Sequence, residues 1–119
     1  MSCFFGMKKE FRVKKHSEFD RIIHAGRKIK TSRYTIYLEP SPSQSHARIG
    51  IAVSKKNGNA VTRVRIKRQV RAMVSRHFDL THRLNIVVVI HSNFSPLEGK
   101  NNEEELAKAL EQIKGNAIE

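Results

Sequence analysis

Nine basic side chains, Arg48, Lys55, Lys56, Arg63, Arg65, Lys67, Arg68, Arg71 and Arg76, lie between positions 48 and 76 with no carboxylate among them. Cations gathered this densely suit a polyanion, because each phosphate they neutralise releases condensed counterions and strengthens binding. Guanidinium forks grip phosphate oxygens in pairs, while lysines act as mobile point charges. Other chemistry finds little to work with. The six histidines (His16, His24, His46, His77, His82 and His91) fall at no spacing that holds a metal on one helix face or turn, so no metal site is expected. The glycines stand singly, which disfavours a phosphate loop and ATP binding. Asp79 is the only acid between Pro40 and Leu97, so the central half of the chain lacks the paired carboxylates of acid–base catalysis or of a two-metal nuclease. Any catalysis is expected to have its reactive centre in a partner. An anionic membrane surface competes poorly, since the basic helix described next lacks a broad aromatic face for insertion.

The elements that must carry these cations fit in one domain, residues 1–119, with a net charge of +12. The acids collect at the other end, six of them between Glu98 and Glu119. A single cysteine, Cys3, allows no internal disulfide, and no apolar run approaches the length of a membrane span, so a reducing, cytoplasmic setting without membrane attachment is expected. Residues 1–15 read as a basic extended arm. Ser17 then has the form of an N-cap for a short helix with Phe19, Ile22 and Ile23 on one face and Gly26 as its stop. Tyr34–Leu38 reads as a strand whose beginning extends back towards Lys28, and Ala47–Val53 as a second, expected to be central because it is almost continuously apolar. After a turn at 54–59, the spacing predicts a helix over 60–78, with Ile66, Val70, Met73, Val74 and His77 inward and Arg65, Arg68 and Arg76 outward. Leu84–Ile90 reads as a strand buried on both faces. Asn102 is placed to cap a last helix, with Glu103, Glu104 and Glu105 at its positive end and Leu106, Ala109, Leu110 and Ile113 inside. This order, a helix, two or three strands, a helix, a strand and a helix, predicts a single-domain α+β sandwich with helices packed on a small sheet, four-stranded and α-β-β-β-α-β-α if the segment from Lys28 to Leu38 supplies two strands.

The segment Ser54–Arg68 closely resembles the signature of the bacterial ribonuclease P protein subunit family, in which Ser-Lys-Lys, a Gly-Asn-Ala-Val turn, and Arg-Asn-Arg followed by Lys-Arg occur in this order and spacing. The likeness extends over most of the chain, with one departure at its centre: Val64 stands where the family has Asn. On the helical wheel Val64 falls between Arg71 and Arg68, beside the basic face, where its side chain can neither donate nor accept a hydrogen bond.

The resemblance implies a subunit that binds the catalytic RNA of ribonuclease P and the 5′ leader of precursor tRNA. The RNA would perform the hydrolysis with Mg²⁺, bound mainly by that RNA, and the protein would aid its use. Carried over by position, Lys55, Lys56, Asn59, Arg63, Arg65, Lys67 and Arg68 face the catalytic RNA, and Val64 sits among them. Arg71, one turn beyond Lys67, extends the row, and Arg76 is equally readable as a solubilising charge. The resemblance further implies a central cleft for the leader, with Phe19 and Tyr37 as stacking rings and Ile23 where an aromatic is common. Thr35, Ala52 and Ser54 face the same cleft. It also implies a left-handed strand–helix–strand crossover, against the general right-handed rule. A general basic RNA-binding or ribosomal-type module is the alternative, a stand-alone nuclease a weaker one, and self-association without RNA stays open.

Overall fold

The computed structural model describes residues 11–24, 27–79 and 81–116. Most of the expected arm (1–10), Cys3 and the expected stop at Gly26 lie outside them. The elements are α1 (His16–Ile23), β1 (Arg27–Lys30), β2 (Tyr34–Pro40), β3 (Arg48–Val53), a single 3₁₀ turn (Lys55–Asn57), α2 (Ala60–His77), β4 (Leu84–Ile90) and α3 (Gly99–Asn116). The order is the expected α-β-β-β-α-β-α.

The four strands form one sheet in the order β1-β2-β4-β3, antiparallel except for the parallel β3–β4 pair. β4 is interior, which is why six of its seven residues are buried. β3 is an edge strand, not the central one its apolar run predicts. Its apolarity records cover from three sides. Ile49 and Ile51 pack with α2 in the larger core, and on the other face Gly50 lies beneath Val13 and Phe19. On its free edge the Val13 N–H donates to the Ile49 carbonyl (3.0 Å). β3 and β4 are joined through α2, forming the unit that the resemblance implies to cross left-handed.

Strand alternation divides the apolar residues between two layers. Ile36, Leu38, Ile49, Ile51, Ile86 and Val88 meet Ile66, Val70, Met73 and Val74 of α2 and Leu106, Leu110 and Ile113 of α3 in the larger core. On the opposite face Val13, Ile22 and Val87 form a smaller one with Phe19, Ile23, Tyr37 and Val89.

Two helix starts differ from the sequence reading. α1 begins before Ser17, with the Lys15 N–H donating to Glu18 Oε1 (3.4 Å). α3 begins at Gly99, so Asn102 is inside its first turn and its N–H donates to the Glu98 carbonyl (2.9 Å). Asn102 is an anchor instead of a cap: its buried amide donates to the Ser95 carbonyl (2.7 Å), and its own carbonyl accepts from the Tyr34 hydroxyl (2.9 Å). Its polarity serves tertiary bonds, which a local capping rule does not register.

Candidate nucleic-acid interface

The turn before α2 is built to project charge. Ser54 Oγ donates to Asn57 Oδ1 (3.2 Å), and Asn57 Nδ2 donates to the His91 carbonyl (2.9 Å), tying the 3₁₀ turn to the end of β4. Lys55 and Lys56 are left exposed. Gly58 has φ of 128°, a conformation that favours glycine, and a Cβ there would lie 3.1 Å from Thr62. Asn59 caps α2 by accepting from the Thr62 N–H (2.9 Å), so its side chain is committed to the helix start as well as lying in the basic segment.

The distribution of ion pairs separates two kinds of cation. Arg48 donates to Glu18 (2.7 Å), and Arg21 grips Glu39 with two bonds (2.9 and 3.0 Å). Arg33 reaches Glu105 (2.8 Å) and Glu98 (2.9 Å). Arg76, which the helical wheel places on the outer face, is held by Glu103 through two bonds of 3.0 Å, and Glu103 also meets His77 Nε2 at 2.6 Å. Arg76 is therefore a strut between α2 and α3. By contrast Lys55, Lys56, Arg63, Arg65, Lys67, Arg68 and Arg71 form no ion pair among the described residues. Arg63 Nε and Arg71 Nε are buried without a hydrogen-bond partner, as is Gln69 Oε1. Burial, with Arg12 nearby, pushes the Arg71 guanidinium below its usual pKa. Lys67, Arg68 and Arg71 line one wall of an open groove that reaches Arg12 and the first turn of α3. Val64, 48% exposed, stands in that wall.

The second surface is on the opposite face of the sheet. Register aligns Tyr37, Val87 and Gly50 in one row and Thr35, Val89 and Ala52 in the next. A third row, Glu39–Asn85–Arg48, holds α1 at both flanks: Arg21 of the helix pairs with Glu39, and Glu18 with Arg48. Asn85 Nδ2 adds a bond to Glu39 (2.8 Å). Phe19 lies directly on Gly50, whose absent Cβ would be 2.7 Å from Phe19 Cε1. The six expected cleft residues therefore share one side of the molecule: Phe19 and Ile23 on α1, Tyr37, Thr35 and Ala52 on the sheet, and Ser54 at its rim. Thr35 is buried, with its hydroxyl 2.7 Å from His91 Nε2. His91 Nδ1 is 3.0 Å from the Ser32 carbonyl, which can only accept. In the neutral ring Nδ1 thus carries the proton and Nε2 accepts from Thr35. Thr35 lies at the bottom of this face, and its neighbours Phe19, Ile23, Tyr37 and Ala52 are half-buried. Two residues that the sequence reading passes over, Lys28 and Lys30, pair with Tyr37 and Thr35 and share their face. The alternation Lys-Ile-Lys over 28–30 is their only sequence signal. Among the described residues no helix is long and apolar enough to cross a membrane.

A helix crowded with cations that have no carboxylate partner among the described residues, backed by a sheet whose other face carries Phe19 and Tyr37 half-buried, defines a nucleic-acid-binding α+β protein. Residues 7–114 match the family model described as Ribonuclease P. The chain is 33% identical over 109 residues to the ribonuclease P protein component of Enterococcus faecalis, covering 91% of this chain and 92% of that one. It is 42% identical over 83 residues to that of Staphylococcus carnosus, covering 70% and 72%. The structure of Staphylococcus aureus RNase P protein superimposes with a TM-score of 0.77 at 30% identity, over 87% of this chain and 95% of that one. RNase P protein from Thermotoga maritima, at 23% identity, shares the fold (TM-score 0.73; 86% and 96% covered). The chain belongs to the ribonuclease P protein component family.

Proposed function

We infer that this chain is the RNA-binding protein subunit of ribonuclease P, the endoribonuclease that removes the 5′ leader of precursor tRNA with its catalytic centre in the RNA. The observation that carries the reading is the division of cations. The scaffold neutralises Arg21, Arg33, Arg48 and Arg76 internally, while among the described residues seven cations on the turn and α2 have no carboxylate and two of them leave a buried Nε unpaired. Unpaired buried donors are costly, and phosphate oxygens would satisfy them.

In this reading Lys55, Lys56, Asn59, Arg63, Arg65, Lys67, Arg68 and Arg71 contact the catalytic RNA, with Val64 in place of a hydrogen-bonding Asn. Phe19, Tyr37, Ile23, Ala52 and Ser54, above the floor fixed by Thr35, receive the leader in the cytoplasm. Ring stacking suits that task because it tolerates any base. Among the described residues no three His, Cys, Asp or Glu side chains come together as a bound metal would need. In this reading Mg²⁺ is bound mainly by the partner RNA.

Cleavage of a precursor tRNA by a bacterial ribonuclease P RNA at low Mg²⁺, with and without this protein, tests the reading. Stimulated cleavage at the correct 5′ site is expected. No stimulation, together with equal affinity for ribosomal RNA, would instead favour a general RNA-binding module.

A further inference from the structure

We propose that Lys28 and Lys30 of β1 bind phosphates of the leader, extending its path one strand beyond the floor of the cleft; this rests on the leader-cleft reading above. β1 has only four residues, and its alternation turns Ile29 into the larger core. Lys28 and Lys30 are turned to the opposite face, directly beside Tyr37 and Thr35 in register. Both are exposed, and neither ammonium group has a hydrogen bond or ion pair among the described residues. Glu39, the carboxylate of β2 on this face, is already paired with Arg21 and accepts a hydrogen bond from Asn85, so it does not quench them.

The spacing fits a strand of nucleic acid. Two positions along a β-strand separate the lysine Cα atoms by about 7 Å, comparable with the step between successive phosphates of an extended single strand. The adjacent strand lies only about 5 Å away, so a base stacked on Tyr37 would carry its backbone within reach of the lysines. A stacking ring beside two cations that have no partner among the described residues grips a single strand without reading its sequence, as varied leaders require. Edge lysines also discourage sheet-to-sheet pairing, and the experiment separates that use from this one.

The test compares the full chain with a Lys28→Gln, Lys30→Gln double variant, each bound to the catalytic RNA. Affinity is measured across a salt series for a long-leader precursor, a short-leader precursor and mature tRNA. The double variant is expected to lose about ten-fold in affinity for the long-leader precursor alone, with the log–log salt slope reduced by about 1.4. Unchanged affinity for every substrate would overturn the proposal and leave the lysines to edge protection. An equal loss on all three would overturn it too, assigning them to the tRNA body or the catalytic RNA. Tyr37→Ala, run in parallel, keeps the two readings apart. If it leaves leader discrimination intact, the cleft reading has failed; if it abolishes discrimination while the lysine variant does not, only the present inference has.

Discussion

Replacing Gly50 with alanine tests whether the sheet itself places the Phe19 ring. The added Cβ would lie 2.7 Å from Phe19 Cε1, 2.8 Å from Cζ and 3.1 Å from Val13 Cβ. Val13 has little freedom to move, because its N–H is bonded to the Ile49 carbonyl. Nor can α1 lift easily, with Arg21–Glu39 and Glu18–Arg48 holding its two flanks. The ring must therefore turn. Overpacking of this kind costs about 1–3 kcal/mol, and losing a strand glycine's conformational freedom returns about 0.5–1 kcal/mol. Net destabilisation of about 1–2 kcal/mol is expected in urea unfolding. In the proposed leader-binding role of Phe19, the displaced ring also forfeits much of a base stack worth about 1–3 kcal/mol, so the preference for leader-bearing over mature tRNA should fall about ten-fold. Adding Phe19→Leu to the variant should recover stability without recovering that preference. A Gly50→Ala protein with native stability and full leader discrimination would refute the claim that this contact positions Phe19.

The two classes of cation predict different salt responses. Arg68→Ala should reduce the slope of log affinity for the catalytic RNA against log salt by about 0.7–0.9, whereas Arg76→Ala, already neutralised by Glu103, should leave the slope nearly unchanged and lower thermal stability instead. Val64→Asn should tighten RNA binding by about 1 kcal/mol, roughly five-fold, read by direct titration; equal affinities would remove the argument from hydrogen bonding. Stability should decline on acidification. Arg48 bonding lowers the Glu18 pKa and Arg76 bonding that of Glu103; at Glu39 and Glu105 burial pushes upward but is outweighed by Arg21 and Asn85, and by Thr31 and Arg33. Depressed folded-state values mean that this stabilisation is complete above the ordinary carboxylate pKa of 4.5 and is lost as pH falls through the folded values. Glu105→Gln should flatten that decline in chemical denaturation and cost about 2 kcal/mol near neutrality.

The elements legible in the sequence are those whose apolar period matches their burial. β4 is found at Leu84–Ile90 as read, and Ile66, Val70, Met73 and Val74 of α2 point inward as the helical period requires. The apolar run of β3 marks its place in the chain but not its place in the sheet, because such a run measures cover and not hydrogen-bonded neighbours. Here the cover comes from α1, α2 and the segment around Val13. The basic segment was legible from charge alone. What charge could not show is which arginines are neutralised across the fold. The partners of Arg48 and Arg76, Glu18 and Glu103, are distant in sequence and meet them only through tertiary packing. Lys28 and Lys30 are not legible in the sequence for a related reason: their place beside Tyr37 exists only once the β1–β2 hairpin fixes its register.

The route of the chain through α2 also bears on folding. β3 and β4 can pair in parallel only after α2 has crossed between them, so the helix that presents the basic row also closes the sheet. Those cations repel one another before the RNA arrives, and the self-repulsion opposes a late, long-range step of assembly. RNA that engages the native helix would therefore draw the whole domain towards its folded state by mass action, as a ligand does when it binds only the folded protein. The apparent stability of the protein should rise steeply with the concentration of its RNA partner and return towards that of the free chain in high salt.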